Sequence, residues 1–351
     1  MVEWKKLGEV CAFNRGKTIT AKDAVDGDIP VIAGGQTPSY YHNEFNREGE
    51  SITVAGSGAY AGFVSYWNQP IFVSDAFTID PLKGLKHKYL FHWAKMNQEK
   101  IIATQKGAGV PHVHGKDIAN FLIPIPSLSE QSRIVSILDT FTSSISNLKQ
   151  QIEERRKQYE YERNLLLDLE GKEGVEMKKL GEVLQIKKGD YITKKEAKEG
   201  VYPVILGGKE PAYYIDRYNH VGKAIVISRS GASAGYVSFW NQPIFITDGF
   251  LIEPKENVLF EFLYYTLKSK QRELHGSQKG GAIPHVTPAS ISTIKSFFPP
   301  LSTQSRIVSI LDTFEQSISN LEEQLAMREK QYEYYRNQLL TFEGEEERGK
   351  T

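Results

Sequence analysis

Two long and otherwise polar stretches of the chain each contain two interleaved series of apolar residues, and each series repeats every seven positions. In the first stretch, where Arg155 and Glu162 interrupt the pattern, the apolar positions are Ile134, Leu138, Phe141, Ile145, Leu148, Ile152, Tyr159 and Leu166. In the second stretch they are Ile307, Leu311, Phe314, Ile318, Leu321, Leu325, Tyr332 and Leu339. Such heptads predict two coiled-coil helices of about 40 residues, each ~60 Å long. Because one such helix alone would expose its apolar stripe to water, the two are expected to pack together.

The region before each heptad stretch has a different pattern. Short runs rich in Val, Ile, Tyr and Gly, such as SITVAGSG, GFVSYW and PIFVSDAFTI, predict short strands. The segment KYLFHWAKMNQEKII predicts a helix among them, so each region is expected to be a mixed α/β domain. Prolines end the last strand of each domain, and Ser129 and Ser302 are the predicted N-caps of the long helices.

The chain is a tandem repeat, because position n matches position n + 173 without a gap. QSRIVSILDTF occurs at Gln131 and again at Gln304, and WNQPIF at Trp67 and again at Trp240. The repeat predicts a first head at 1–127, a first long helix with a short linker at 128–173, a second head at 174–300 and a second long helix at 301–344. Residues 345–351 are expected to form a disordered tail.

The short connection between the first helix and the second head sets the expected direction of the helices. Only about seven residues, 170–176, join them, so the second helix must run back along the first. The predicted fold class is therefore α+β, with two tandem-duplicated mixed α/β domains separated by a long antiparallel two-helix coiled coil and related by a pseudo-twofold axis.

Composition restricts the possible functions. Lys plus Arg equals Asp plus Glu at 43 each, so binding to a polyanion would need local basic patches or a partner that adds charge. The single cysteine, Cys11, excludes intrachain disulfides and multi-cysteine zinc sites and is expected in the core. No apolar run approaches a membrane span, and the N-terminus lacks a signal-peptide core, so the cytoplasm is the expected location.

The helix signatures carry a family resemblance. PSLSEQSRIVSILDTF from Pro126 and PPLSTQSRIVSILDTF from Pro299, each after a similar domain, resemble the specificity (S) subunit of Type I restriction-modification enzymes. Thr303 departs from the Glu expected before Gln304. The resemblance implies that the heads are target recognition domains, each reading one half of a split, asymmetric site in double-stranded DNA. It also implies that the helices set the spacer and dock two modification (methyltransferase) subunits and the restriction subunits.

On the same resemblance the chain is a non-catalytic subunit without a cofactor, and the methyl donor and ATP are expected on its partners. Two half-sites about one duplex turn apart, ~34 Å, suit two heads on a rigid rod. Lengthening the helices by one turn, ~5.4 Å, is expected to change the spacer and leave the half-sites unchanged.

Four loops that carry glycine and polar residues at the same places in both heads are the expected DNA-binding elements. In the first head the candidate contacts are Arg15, Lys17, Gln36, Ser39, Tyr40, Ser57, Tyr60, Lys106, His112 and His114. In the second head they are Lys187, Lys188, Tyr191, Lys209, Tyr213, Arg229, Ser230, Lys279, His285 and Thr287. Arg229, aligned with Gly56, is the favoured base reader, because arginine binds guanine through two acceptors. Solvated turns and half-buried strand tyrosines are the simpler interpretation of each residue.

Other chemistry finds little support in the sequence. The HxH of His112 and His114 is not expected to bind a metal, because the second copy has Thr287 at the latter place. The nuclease-like DLEGK, from Asp168 to Lys172, reads TFEGE in the second copy. No phosphate-binding GxxxxGK[ST] loop occurs, and no catalytic residue is predicted. Two alternatives to a DNA reader stay open: a non-catalytic scaffold whose heads bind proteins, and a nuclease.

Overall fold

The computed structural model describes residues 2–195, 197–206, 208, 210–278 and 284–342. The tail predicted at 345–351 lies outside these residues. Two compact units make up the chain: a first unit that combines residues up to Gln150 with those from Glu322 onward, and a contiguous second unit, Gln151–Leu321. Within the described residues, no helix has both the length and the apolar character needed to cross a bilayer.

The first head begins the first unit and is followed by a long helix. Its elements, in chain order, are β1 (Glu3–Lys6), α1 (Leu7–Val10), β2 (Cys11–Arg15), β3 (Ile29–Ile32), β4 (Tyr40–His42), β5 (Glu50–Ala55), β6 (Val64–Asn68), β7 (Phe72–Val73), β8 (Ala76–Pro81), α2 (His87–Met96), α3 (Gln98–Ile102), α4 (Gly115–Ile118), β9 (Leu122–Ile125) and α5 (Leu128–Leu167).

The second head repeats this order. Its elements are β10 (Glu176–Lys179), α6 (Leu180–Val183), β11 (Leu184–Lys188), β12 (Tyr202–Ile205), β13 (Tyr213–Ile215), β14 (Lys223–Ser228), β15 (Val237–Asn241), β16 (Phe245–Ile246), β17 (Gly249–Pro254), α7 (Phe260–Ser269), α8 (Gln271–Gly276), α9 (Pro288–Thr293), β18 (Lys295–Phe298) and α10 (Leu301–Leu340).

Among the residues that the structure describes, each head contains three small sheets of the same topology. In the first head, β2-β8-β5-β6 form an antiparallel sheet, β4-β3-β7 a mixed one, and β1 pairs with β9. The second head has β11-β17-β14-β15, β13-β12-β16 and β10-β18 in the same order. The alternating runs seen in the sequence thus form strands that are largely buried, and their ends bring distant loops together.

Helix α2 covers the larger sheet of the first head and closes its core. Ile52 and Ile79 from the sheet are buried with Leu90 and Trp93 from the helix. The hydroxyl of Tyr89 is fully buried and donates to the carbonyl of Pro124 at 2.8 Å, so this polar group keeps a partner inside the core. Helix α7 has the equivalent position in the second head, where Phe262 and Leu263 are buried.

The repeated QSRIV segment ties each long helix to the head that precedes it. Gln131 is fully buried; its amide donates to the carbonyls of Gly84 and Pro126 and accepts from the backbone of Lys86 at 2.9 Å. Gln304 makes the equivalent three bonds in the second unit. A buried side-chain amide with all these partners fixes the direction in which the helix leaves the head.

The N-caps of the long helices differ from the predicted residues, Ser129 and Ser302. Helix α5 begins at Leu128, and Ser127 Oγ accepts from the backbone N–H of Glu130 at 3.3 Å, so Ser127 takes the capping role assigned to Ser129. Helix α10 begins at Leu301, directly after Pro300, which places Ser302 inside the first turn.

In the first unit the beginning of α5 packs against the end of α10. Ile134 and Leu138 are fully buried in the same core as Leu340. Farther along, the rings of Phe141 and Tyr335 stack with centroids 5.2 Å apart. Because later residues of α5 meet earlier residues of α10, the two segments run antiparallel, as the sequence predicts.

In the second unit the end of α5 packs against the beginning of α10. Ile307 and Leu311 are buried in the core against which Leu166 of α5 packs. The Tyr159 hydroxyl donates to Glu315 at 3.1 Å, in a pairing that is again antiparallel. None of the apolar heptad residues predicted from the sequence is exposed. These residues are Ile134, Leu138, Phe141, Ile145, Leu148, Ile152, Tyr159, Leu166, Ile307, Leu311, Phe314, Ile318, Leu321, Leu325, Tyr332 and Leu339.

Candidate nucleic-acid interface

A cleft of about 470 Å³ opens in the first head where three loops meet. We call it the first cleft. It lies between the end of β2, the turn before β8 and the segment that leads into α4. Its ionisable lining side chains are Arg15, Asp75, His112, His114 and Lys116. The cleft is therefore mainly basic and contains one carboxylate.

Gly16 allows the end of β2 to reach the floor of the first cleft. A Cβ added there would overlap the carbonyl oxygens of Ser74 and Val73, the latter at 2.6 Å. In the second head a Cβ added at Gly189 would lie 2.5 Å from the carbonyl oxygen of Ile246. The glycine common to both copies is therefore a packing requirement, and it fixes where Arg15 stands.

The second head has a cleft at the repeat-equivalent place, the second cleft, with a volume of about 340 Å³. Its lining includes Lys188, Arg229, His285 and Thr287. These positions match Arg15, Gly56, His112 and His114 of the first cleft after subtraction of 173. Two clefts at the same place in a duplicated fold, with different side chains, are suited to binding the same class of ligand with different preferences.

The same backbone frame builds both clefts. In the first head the Gly56 N–H donates to the Asp75 carbonyl at 3.1 Å, and the Val113 N–H donates to the Gly56 carbonyl at 3.0 Å. In the second head Arg229 donates to the Asp248 carbonyl at 3.0 Å and accepts from the Val286 N–H at 2.8 Å. The lining side chains can therefore vary on a constant main chain.

A serine–aspartate hydrogen bond also recurs in both heads. Ser57 donates to Asp75, and Ser230 donates to Asp248. The identical spacing of serine and aspartate in the two copies is the sequence signal for this shared structural pair. Lys116, which is not among the candidate DNA contacts given above, also lines the first cleft.

In the first head the structure brings Arg15, His112 and His114 together around the cleft. The two histidine rings are nearly parallel, with centroids 6.2 Å apart. Lys106 pairs with Asp117 through a hydrogen bond that holds the pKa of this carboxyl below its usual range. The remaining candidate contacts outside the first cleft are Lys17, Gln36, Ser39, Tyr40 and Tyr60.

Strand pleating separates the paired tyrosines. The Tyr40 hydroxyl donates to the carbonyl of Ile19 at 2.7 Å, and this half-buried ring belongs to the sheet, while Tyr41 is exposed. Tyr213 is half-buried in the same way, and burial raises its pKa, while Tyr214 is exposed. Tyr40 and Tyr213, the two tyrosines predicted as DNA contacts, are thus the less exposed members of their pairs.

In the second head Lys188, Arg229, His285 and Thr287 line the cleft. The Thr287 hydroxyl has a structural role in addition, because it caps α9 by accepting from the backbone N–H of Ser290 at 3.1 Å. Arg229 lies with Nε 3.2 Å from Oδ1 of Asp248.

Other candidates of the second head lie elsewhere. Lys187 lies on the opposite face of β11 from Lys188, as successive strand residues do, and its ammonium group lies 2.6 Å from Glu253. Tyr191 is 86% exposed on the loop after β11. Lys209 and Lys279 lie outside the described residues. Among the residues that the structure does describe, no cluster of three or more His, Cys, Asp and Glu side chains could hold a metal.

Comparisons with known proteins agree on one family. A family model described as the Type I restriction modification DNA specificity domain matches residues 1–155 and 172–327. The chain is 30% identical over 380 residues to a candidate type I restriction enzyme specificity subunit of Haemophilus influenzae, with 97% of this chain and 96% of the relative covered. It is 26% identical to the specificity subunit of an Escherichia coli type I restriction enzyme, with 97% and 94% covered.

Solved structures share the fold. The crystal structure of a Type I restriction-modification system S subunit from M. genitalium superposes with a TM-score of 0.72 at 21% identity, with 97% of both chains covered. A chain from a structural study of complex assembly and conformational transition in the type I restriction-modification system gives a TM-score of 0.56 at 19% identity, with 97% of both covered.

Proposed function

Because the chain belongs to the Type I restriction modification DNA specificity family, we propose that it selects the DNA sequence on which a type I restriction-modification enzyme acts. The resemblance seen in the two QSRIVSILDTF segments is confirmed by these comparisons. As a specificity subunit the chain is a non-catalytic component, and the methyl donor and ATP would bind to its partner subunits.

The observation that carries the proposal is the pair of equivalent clefts with different linings. Each head would place its cleft against one half-site in the major groove, where base edges differ in their donors and acceptors. Because Arg229 stands where the first head has Gly56, and Thr287 where it has His114, the two heads would prefer different bases. The recognised site would therefore be split and asymmetric.

Local charge supports DNA binding despite the zero net charge. Arg15 and Lys116 line the first cleft, and Lys188 and Arg229 the second. Basic side chains of this kind bind phosphate and position the protein, whereas specificity comes from contacts to base edges. Partner subunits would supply the remaining positive charge, since 43 basic residues are balanced by 43 acidic ones.

The long helices would set the spacer and carry the partners. The buried Gln131 and Gln304 fix each helix to its head, so the length of the helices would decide the number of base pairs between the half-sites. We expect one modification subunit for each copy of the repeat, two in all, together with restriction subunits. A one-turn insertion in the helices should change the spacer without changing either half-site.

Adenine methylation mapping tests the proposed function. Cells that make the cognate methyltransferase would be compared with and without this chain. We expect methylation at a split motif only when the chain is present, since the methyltransferase alone has no sequence reader. Methylation that does not change when the chain is removed would contradict the proposal and favour a scaffold whose heads bind proteins.

A further inference from the structure

Asp75 and its repeat equivalent Asp248 hold the same place in the two heads, but their carboxylates are covered to different degrees. In both heads Oδ2 accepts a hydrogen bond from a serine hydroxyl. In the second head Oδ1 of Asp248 also lies 3.2 Å from Nε of Arg229, and the Asp248 side chain is 22% exposed. In the first head Gly56 stands in place of the arginine, the Asp75 side chain is exposed, and its Oδ1 has no hydrogen-bond partner among the described residues.

An open carboxylate is an unusual lining for a cleft that binds a polyanion. Arg15 and Lys116 in the first cleft attract phosphate, whereas Asp75 repels it. A base edge is a better ligand for this carboxylate, because Asp accepts a hydrogen bond from an exocyclic amino group in the major groove. Cytosine and adenine present such a group, and guanine and thymine present a carbonyl there instead.

Arg229 gives the second cleft the opposite hydrogen-bond character. Its Nε lies 3.2 Å from Oδ1 of Asp248, and its terminal nitrogens make no hydrogen bond within the described part of the chain. The side chain is 41% exposed and lines the cleft. A guanidinium held at Nε keeps its two terminal donors in a fixed plane, which matches the O6 and N7 acceptors of guanine.

We propose that Gly56 and Asp75 in the first head, and Arg229 and Asp248 in the second, determine the base selected at one position of each half-site. The first head offers a hydrogen-bond acceptor to this base, and the second head offers hydrogen-bond donors. In the first head Asp75 accepts from the amino group of cytosine or adenine, and Gly56 keeps the carboxylate open. In the second head Asp248 is a positioning residue that orients Arg229 toward a guanine. The inference rests on the proposed function, and it adds the chemical class of base that each head selects.

The first test changes the first head within the complex of the chain and its cognate methyltransferase. Asp75→Asn should relax the preference for an amino-bearing base at one position of one half-site, roughly tenfold, because an amide also donates and no longer rejects a carbonyl. Gly56→Arg should move the preference at that position toward guanine. The added Cβ would lie 3.3 Å from the Asp75 carbonyl oxygen, which requires a small local shift, and the second head already carries an arginine at the equivalent position, Arg229.

The second test makes the reciprocal changes in the second head. Arg229→Gly should replace a guanine preference with one for an amino-bearing base, because it uncovers the carboxylate. Asp248→Asn should keep guanine but weaken its selection severalfold, and Asp248→Glu should restore part of that selection. A merely structural role for Asp248 would lower methylation at all sites and leave the selected bases unchanged.

Single-base methylation maps provide the readout, and the unchanged half-site in the same maps is the internal control. Asp26→Asn, an exposed carboxylate of the first head outside the cleft, is the matched variant and should leave the motif intact. For a variant that methylates too little to map, affinity of the purified complex for duplexes with each base at that position replaces the map.

Two failures are distinguishable. In the first, the wild-type chain directs methylation to a split motif while these substitutions change the preferred base at no position, or change affinity equally for all four bases. That result overturns the inference and leaves the proposed function standing. If the wild-type chain directs no motif at all, the proposed function itself is wrong.

Discussion

The imidazole Nδ1 of His92 lies 3.0 Å from the hydroxyl oxygen of Tyr332, a residue 240 positions later in the chain. On its other side Nε2 of His92 lies 3.1 Å from Asp139. His92 is nearly fully buried. The last part of α10 is therefore a component of the first unit, since it supplies both a polar partner and, at Leu340, a fully buried core side chain.

Shortening Leu340 should destabilise the first unit. Leu340→Ala removes a fully buried side chain and leaves a cavity, so we expect a loss of about 2–5 kcal/mol in the free energy of unfolding. Hydrogen exchange followed by mass spectrometry would show faster exchange in β5 and α2. The control, Met327→Ala on the same helix, changes a side chain that is 58% exposed and should have little effect. Equal effects of the two variants would contradict this role of Leu340.

Asp139 should make the stability of the first unit sensitive to acid. Burial alone would raise its pKa, but hydrogen bonds from His92 and Lys88 outweigh burial and hold the pKa below its usual range. A carboxyl with a depressed folded pKa stabilises the fold above its unfolded value, 3.8, and this stability is lost as the pH falls through the folded pKa.

Urea unfolding between pH 3 and 6 measures this effect on the wild type and on Asp139→Asn. The wild type should lose stability below about pH 4 more steeply than the variant, which lacks the titrating group. Asp28→Asn, at an exposed position of the same head, should follow the wild-type curve. If the free energy of unfolding has the same pH dependence in the wild type and in Asp139→Asn, the hydrogen bonds of Asp139 with His92 and Lys88 do not make the stability sensitive to acid.

Replacing Gly16 should disturb the first cleft and its head together. The new Cβ of Gly16→Ala overlaps two carbonyl oxygens, so the strand end must move, and we expect a cost of about 1–3 kcal/mol. Thermal unfolding gives the magnitude. Gly109→Ala, where a Cβ would meet nothing within 4 Å, is the matched control and should be nearly neutral.

Adjacent lysines of β11 should differ in their contribution to DNA affinity. Lys188 lines the second cleft, whereas Lys187 is paired with Glu253. Lys188→Ala should weaken binding of the assembled complex to all sequences and reduce the slope of log affinity against log salt by about one. Lys187→Ala should leave the slope unchanged. A larger effect at Lys187 would show that DNA lies against the other face of the strand.

The sequence predicted the architecture because periodic and repeated patterns determine it. Heptads identified the paired helices, and the short linker 170–176 gave their antiparallel direction. The repeat also marked the loops that form the clefts, and Arg15, Arg229 and His285 were among the selected residues. These features depend on spacing along the chain, which a single sequence displays.

The remaining details depend on which groups meet in three dimensions. Residue type alone suggested Tyr40 and Lys187 as DNA contacts, but the Tyr40 hydroxyl donates to the Ile19 carbonyl in the loop after β2, and Lys187 pairs with Glu253 on the neighbouring strand β17. The ion pair between Arg229 and Asp248 joins the residue after β14 to the residue before β17, and no local pattern predicts it. Side-chain direction and long-range pairing therefore decided which polar residues reach the clefts.

The division of the chain into one contiguous and one discontinuous unit has a consequence during synthesis. Once Leu321 has left the ribosome, the second unit has all of its residues and can fold. The first unit, although its head is made earlier, waits for Leu340 to fill its core. A chain that stops before Leu340 would therefore leave the core of the N-terminal head unfilled, although every residue of that head had already been made.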